Sequence, residues 1–273
     1  MKVAYCLSGL IDNITPTIHG LNEIQLSQEM DFFCHTWDDP KNPGIDIVNQ
    51  FPFKRTRTST YKEFEDHILS QPNAEELHIR SNSQKNIKHF FRTHMAQFYS
   101  TIKCIERALE YGDYDIIIKA RSNLRYEKSL CNNLKSNLEQ NIQPIVNREP
   151  GAWTHFQRPD SDDRTGTKWE HWPSCIDGVQ TVFAPSFTFP IWKNNAPFID
   201  TMFAMEKAFA KKHILEPDFL ENIINTFMYF ADNIDSLSME ADKVWFRYLM
   251  DNNIAIFGFP VEMWMTRNQK III

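Results

Sequence analysis

A chain of 273 residues, 42% of them hydrophobic and 13% aromatic, holds enough apolar material for one large domain or two small ones. A net charge of −6 excludes a global attraction to phosphate polymers, so binding of nucleic acid would need a local basic patch. No run approaches the roughly 18 uninterrupted apolar residues of a membrane span. The opening MKVAYCLSGL enters strand-like sequence without a cleavable signal pattern, so a cytoplasmic protein with no transmembrane segment is expected.

In chain order, Lys2 to Ser8 is a short apolar run that ends at Gly9, and Ile14 to Leu26 has the composition of a helix. Met30 to Cys34 reads as a buried strand running out at His35-Thr36-Trp37-Asp38-Asp39, and Pro40 to Gly44 marks the loop beyond it. Two such runs joined by a helix predict a parallel βαβ unit. His89 to Tyr111 carries apolar residues at helical spacing and is closed by Gly112. Tyr114 to Lys119 follows as a β-branched run of the kind buried on both faces of a parallel sheet.

Pro144 to Asn147 reads as a further strand and Glu149 to Pro173 as a long loop, the kind that is usually functional. Val179 to Ala184 resumes strand character. Phe198 to Lys211 and Asp218 to Phe230 read as helices separated by Pro217, Glu240 to Asn252 as a last helix, and Ile254 to Phe259 as a last strand. The alternation continues to the end with no linker or internal repeat. The five cysteines, Cys6, Cys34, Cys104, Cys131 and Cys175, form no CxxC pair and are odd in number, which suits buried free thiols.

In open parallel sheets ligands bind outside the carboxyl ends of the strands, where loops converge and helix N-termini offer N–H groups to anions. That rule selects Ser8-Gly9, His35 to Asp39, Arg121 to Asn123 and the segment around Asp177. Glycine at position 9 would let backbone N–H groups approach a nucleotide, or would serve an ordinary strand-to-helix turn. Asp38, with His35 and Asp39, could bind a divalent cation, although the spacing matches no defined ligand pattern. Trp37 could stack on a base or a sugar, or lie partly buried at a sheet edge. His78 to Lys103 carries Arg80, Lys85, Lys88, Arg92 and Lys103 without a single Asp or Glu, which makes either a phosphate-tracking patch or a solvated helix face. Glu240 and Asp242 stand at a helix start, where the dipole alone favours carboxylates and where a general base would also be held.

Four ordered blocks then resemble a family of glycosyltransferase-like proteins found in surface-polysaccharide gene clusters and in large viruses and phages. They read KVAYCLSGLIDN from Lys2, DFFCHTWD from Asp31, QFYSTIK from Gln97 with YDIIIKARSNL from Tyr114, and MEADKVWFRYLMDNNI from Met239. The family's own forms are KVAxCLSGxxRN, DVFIHTWD, QxYSxxK with YDxIIRxRxDL, and PExLLxxYLxxNxI. The resemblance implies an α/β, GT-A-like single domain with a mostly parallel central sheet flanked by helices. Residues 1–125 would bind the nucleotide sugar, and residues 126–273 would form the acceptor side. It implies transfer of a sugar from a nucleoside diphosphate donor to a hydroxyl acceptor, a glycan before DNA.

On that reading Ser8, Gly9, Lys119, Arg121 and Asn123 contact the donor, and Trp37, Arg80, Lys88 and Arg92 contact the acceptor or phosphates. Glu240, Asp177 and Asp242 are the catalytic carboxylates, with Asp177 placed by SCIDGVQTVFA, which resembles the family's NDxFxxG segment. Two positions depart from the family pattern: Asp12 replaces an Arg, and Asn123 replaces the Asp of the RxD motif. An amide ligates Mn²⁺ or Mg²⁺ less well than a carboxylate, so a metal-independent enzyme that uses cationic side chains, or a sugar-nucleotide-binding protein without turnover, follows from these departures. The acid-free patch supplies a further alternative, a phage enzyme glycosylating a modified DNA base, with the patch tracking phosphates.

Overall fold

The computed structural model describes residues 1–10, 18–19, 21–22, 30–38, 48–83, 90–122, 124–125, 138–147, 157–159, 169–171, 181–185, 202–233, 241–252, 254–259 and 264–265. Strands β1 (Val3–Ser8), β2 (Met30–Trp37), β3 (Arg55–Ser59) and β4 (Ile116–Arg121) form the first part of a sheet. It continues with β6 (Gln157–Pro159), β7 (Trp169–His171), β8 (Thr181–Pro185), β9 (Met202–Glu206) and β10 (Ala255–Phe259). The order across the nine strands is β3-β2-β1-β4-β9-β8-β10-β6-β7. β1, β2, β3 and β4 are mutually parallel, β8 and β10 run in the same direction, and β9 is reversed between β4 and β8. A separate two-stranded antiparallel sheet pairs β5 (Leu124–Arg125) with β11 (Trp264–Met265). This is the mostly parallel α/β sheet that the alternating apolar runs predict.

The central strands are buried end to end because the sheet is covered on both faces. Helices α1 (Tyr61–Leu69), α2 (Ala74–Ser83), α3 (Ala96–Tyr111), α4 (Phe219–Asn233) and α5 (Ala241–Asp251) cover one of these faces, that of Ala4, Cys6, Phe33, Ile117 and Phe203. One hydrophobic cluster runs from Ala4 through Phe98, Phe203 and Phe227 to Ile254, so residues from both ends of the chain share a core. Trp245 of α5 stacks on Phe98 of α3 at 5.0 Å and meets Phe203 of β9 edge-on at the same distance. Tertiary packing of this kind, more than helix propensity, holds the helices in place.

Cys6, Cys34 and Cys104 are buried free thiols, as their spacing predicts. Cys6 Sγ donates to the Cys104 carbonyl at 3.9 Å, and Cys104 Sγ donates to the Leu7 carbonyl at 3.4 Å, which ties α3 to β1. Burial pushes the Cys34 and Cys104 thiols well above their ordinary range.

Four readings change. Residues Phe90–Met95, expected as the first turn and a half of an α-helix, form a π-helical segment that runs into α3. Pro144 to Asn147, expected as a strand, overlaps a helical turn at Gln143–Val146. The expected long loop from Glu149 to Pro173 contains β6 and β7. Phe198 to Lys211, expected as a helix, contains β9, whose Met202, Phe203, Ala204 and Met205 are all buried. A short apolar run buried on both faces has no period-2 signature, so its pattern cannot be told from that of a buried helix.

Candidate functional site

The order β3-β2-β1-β4 puts a topological switch point between β1 and β4: the chain winds one way from β1 to β2 and β3, then crosses back to lay β4 on the other side. A crevice forms outside the carboxyl ends of strands at such a point. Ser8 at the end of β1 lies in register with Arg121 at the end of β4 and with His35 of β2. Three of the four segments selected from the sequence therefore meet at one sheet edge. The fourth, around Asp177, lies outside the described residues, as do Asn123, Glu240 and Lys88.

Ser8 and Gly9 are brought to the crevice, but their polar groups are used inside the protein. Ser8 Oγ is buried 3.4 Å from Thr101 Oγ1 of α3, and the Ser8 carbonyl accepts from the Ser122 N–H at 3.1 Å. The Gly9 N–H donates to the His35 carbonyl at 3.1 Å, which extends the sheet ladder by one step. Donor binding through the Ser8 hydroxyl or the Gly9 N–H is thus not what this geometry offers. Glycine is required at position 9 for another reason. Its φ is 121°, a conformation that L side chains rarely adopt, and a Cβ there would stand 3.2 Å from Ser122 Oγ.

On β4, Lys119 and Arg121 alternate onto one face, with Lys119 opposite Cys6 and Phe203. Lys119 is fully buried, its ammonium 5.6 Å from the centroid of the Phe203 ring, whereas Arg121 is only half-buried at the mouth of the crevice. Lys119 thus lies inside the protein beneath this edge, and Arg121 presents its guanidinium at the strand end.

His35 is fully enclosed. Its Nδ1 lies 2.6 Å from Ser100 Oγ and its Nε2 3.1 Å from Ser59 Oγ, and Ser59 Oγ is 3.4 Å from the Tyr99 hydroxyl. Burial, reinforced by the nearby Arg57 and Lys103 charges, takes its pKa down to about 3, so the imidazole is neutral and gives one N–H to one serine while accepting from the other. Both ring nitrogens are occupied by hydroxyls, which removes His35 from any cation site with Asp38. Asp38 itself is exposed just past β2, its N–H bound to the Ser59 carbonyl at 2.9 Å. Among the described residues no three His, Cys, Asp or Glu side chains are placed to hold a metal ion.

Trp37 is packed, not presented. Tyr99 stacks on it at 5.9 Å, and Phe64 and His35 meet it edge-on at 5.7 and 5.5 Å. The acid-free stretch of sequence is not acid-free in space. Arg80 bonds Glu76 one turn back on α2 and Asp232 of α4, each at 2.5 Å, and Lys103 bonds Glu106 at 2.9 Å. The phosphate-contact reading of Arg80 therefore gives way to a clamp between helices. Arg92 lies over the ring of Tyr61 at 5.4 Å, at the first turn of α1.

That first turn is also closed to an outside anion. Thr60 Oγ1 accepts from the Glu63 N–H at 3.1 Å, and Glu63 Oε2 accepts from the Thr60 N–H at 2.6 Å, a complete capping box with a carboxylate on the dipole's positive end. α5 precedes β10 by a short connection and packs back along the sheet, so its N-terminal turn, which contains Asp242, lies at the same carboxyl edge as Ser8 and Arg121. Thr101 and the Ser59-His35-Ser100 network went unread in the sequence, and Ser122 was selected only as part of the Arg121 to Asn123 segment. Their signal was no more than hydroxyls next to strand ends, which turns also favour.

What the sheet defines is an open α/β protein with a topological switch point between β1 and β4. No family model matches the chain, and no curated protein matches it. Several solved structures are similar. A galactosyltransferase, LgtC, solved with donor and acceptor sugar analogs, has a TM-score of 0.43 and 8% identity over 94% of this chain and 73% of its own. The apo-form glycosyltransferase GlyE of Streptococcus pneumoniae TIGR4 has a TM-score of 0.33 and 6% identity over 94% of this chain and 44% of its own. With TM-scores under 0.5 these likenesses are loose, and the architecture rests on the strand order itself.

Proposed function

We propose that the chain is a glycosyltransferase that moves a sugar from a nucleoside diphosphate sugar to the hydroxyl of a glycan, with the diphosphate seated at the β1/β4 crevice. The observation that carries this reading is Arg121, half-buried at the carboxyl end of β4 in register with Ser8. The four sequence blocks support it, because three of them end at this one edge.

In the reaction the acceptor oxygen bonds to the anomeric carbon as the bond from that carbon to the diphosphate oxygen breaks. Negative charge grows on the leaving diphosphate, and fixed cations in a partly desolvated site oppose it without reorganising. Arg121, with a planar fork of donors, suits phosphate oxygens. The acceptor proton passes to a carboxylate, for which we propose Glu240 first, with Asp242 competing for the same role and Asp177 on the acceptor side; the N-terminal turn of α5 at the carboxyl edge supports this reading.

The described side chains at the β4 exit are a guanidinium and a hydroxyl already bonded to the Leu10 carbonyl. That donor set does not fit Mn²⁺ or Mg²⁺, and Asn123 is an amide where the resembled family has Asp. We therefore propose weak metal dependence, with Arg121 and Lys119 doing the electrostatic work. Activity that survives chelator supports this. Complete loss restored by Mn²⁺ would assign the ion to carboxylates such as Asp38 or Asp177.

The function is tested by screening nucleotide sugars for a rise in melting temperature, since a ligand that binds only the folded state stabilises it. A hit that Arg121→Ala weakens at least tenfold supports the placement, and a hit that Arg121→Ala leaves unchanged places the donor elsewhere. Binding with no turnover on any glycan acceptor would favour a sugar-nucleotide-binding protein. For catalysis, Glu240→Gln is expected to cut turnover by roughly 10²–10⁴ with donor affinity kept, the usual share of a general base. Near-normal turnover would leave Glu240 as a carboxylate that only favours the helix dipole.

A further inference from the structure

The two sides of the crevice are joined by one side chain. Ser122, 2% exposed and first beyond β4, donates its N–H to the Ser8 carbonyl at 3.1 Å and its hydroxyl to the Leu10 carbonyl at 2.6 Å. Between those two carbonyls stands Gly9, at φ 121°, with its Cα so close to Ser122 that a Cβ would lie 3.2 Å from the hydroxyl. The Gly9 N–H is turned to β2 at the same time. Leu10 itself is 45% exposed, and the Ser122 hydroxyl gives its carbonyl a partner inside the protein.

We infer that Ser122 is a positioning residue that sets the distance between the β1 exit turn, residues 8–10, and the β4 exit that carries Arg121. It touches no reacting atom. Its hydroxyl fixes the turn that forms one wall of the crevice, and its backbone follows directly on Arg121, so the two walls move as one piece. Gly9 is its steric complement: it permits both the left-handed turn and the close approach. The inference depends on the proposed function only for the identity of the ligand; the positioning of the turn is testable without one.

The test uses the full chain, with Ser122→Ala, Gly9→Ala and the double variant. Ser122→Ala removes the hydroxyl and keeps the backbone bond to Ser8, so the fold should persist with a melting temperature close to the parent's. Amide hydrogen exchange at Gly9 and Leu10 is expected to speed up about tenfold, the equilibrium worth of one hydrogen bond, while Cys6 within β1 is unchanged. Unchanged exchange at Gly9 and Leu10 would overturn the inference.

Uridine diphosphate is the ligand probe. If the parent binds it, Ser122→Ala should weaken binding about tenfold at nearly constant melting temperature, and Ser122→Thr, which retains a hydroxyl, should recover part of the loss. Faster exchange with unchanged affinity would also overturn the positioning role. If the parent binds no nucleotide diphosphate, the proposed function falls, and the exchange measurement alone decides the role of Ser122. Gly9→Ala and the double variant give an independent check. The added methyl should disturb exchange less when the Ser122 hydroxyl is absent, so the two effects should be less than additive. Full additivity counts against the contact.

Discussion

His35 shows how a residue type that invites a chemical reading can be structural. A neutral imidazole that joins Ser59 of β3 to Ser100 of α3 holds three elements together at the carboxyl edge. Its folded-state pKa, about 3, lies below the ordinary value of 6.5, so the unfolded chain binds more protons between these limits. The sign follows: this contribution to stability is complete above pH 6.5 and is lost progressively as pH falls toward 3. Melting curves from pH 7.5 to 4.5 should therefore fall more steeply for the parent than for His35→Gln, and the gap between them should narrow with acid. Parallel curves would mean that the imidazole is not held neutral. His67 and His213 are also lowered by burial and act with the same sign, which is why the difference between the two proteins, not the parent curve alone, is the measurement.

Among the elements, α1 and α5 illustrate two sources of stability. α1 is nine residues long, too short to stand alone, and its start is fixed by the Thr60–Glu63 box. Thr60→Ala should lower stability by about 0.5–2 kcal/mol in urea titration, with Thr60→Ser close to the parent, because only the capping hydroxyl distinguishes them. α5 instead depends on Trp245, which is 1% exposed and surrounded by Phe98, Phe203 and Phe219. Trp245→Ala should cost about 3–5 kcal/mol, and Trp245→Phe distinctly less, since much of the ring contact is kept. The elements legible in the sequence were the amphipathic helices α3, α4 and α5 and the apolar runs that form β1, β2, β4, β8 and β10. β3 escaped notice because Arg55, Thr56, Arg57, Thr58 and Ser59 contain no apolar residue, the composition of a charged edge strand that resists pairing with another chain. At the site, the strand ends were legible because their positions follow from topology. The destination of each polar group was not, because Ser8 meets Thr101 and Arg80 meets Asp232 only after the chain has crossed the sheet.

At the scale of the whole molecule, β9 joins what the sequence alone presents as two halves. It is antiparallel to both β4 and β8, and its Phe203 touches Lys119 on one side and Trp245 on the other. A single core cluster from Ala4 to Ile254 predicts one cooperative transition, with tryptophan fluorescence and far-UV circular dichroism tracing the same curve. Two separated transitions would mean that the halves unfold independently. No helix among the described residues is long and apolar enough to cross a membrane. The α2–α4 pair extends the same unity at the surface. Asn73 bonds Asn225 at 2.9 Å and Arg80 bonds Asp232, two contacts with the same sequence offset, so the helices run parallel with one register.

The three buried thiols of the β1, β2 and α3 layer turn this architecture into a clock. A thiol reacts through its thiolate, and burial leaves almost none of that form at neutral pH for Cys34 and Cys104. An alkylating reagent added to the native protein would therefore report not on chemistry at the surface but on how often the layer parts. Cys6 and Cys104 grip each other's neighbourhoods across the joint between β1 and α3, so their labelling should keep the same time, set by a single opening event. If Cys104 is labelled well before Cys6, the helix peels from the sheet while the strands stay paired, and the crevice above them has a hinge beneath it.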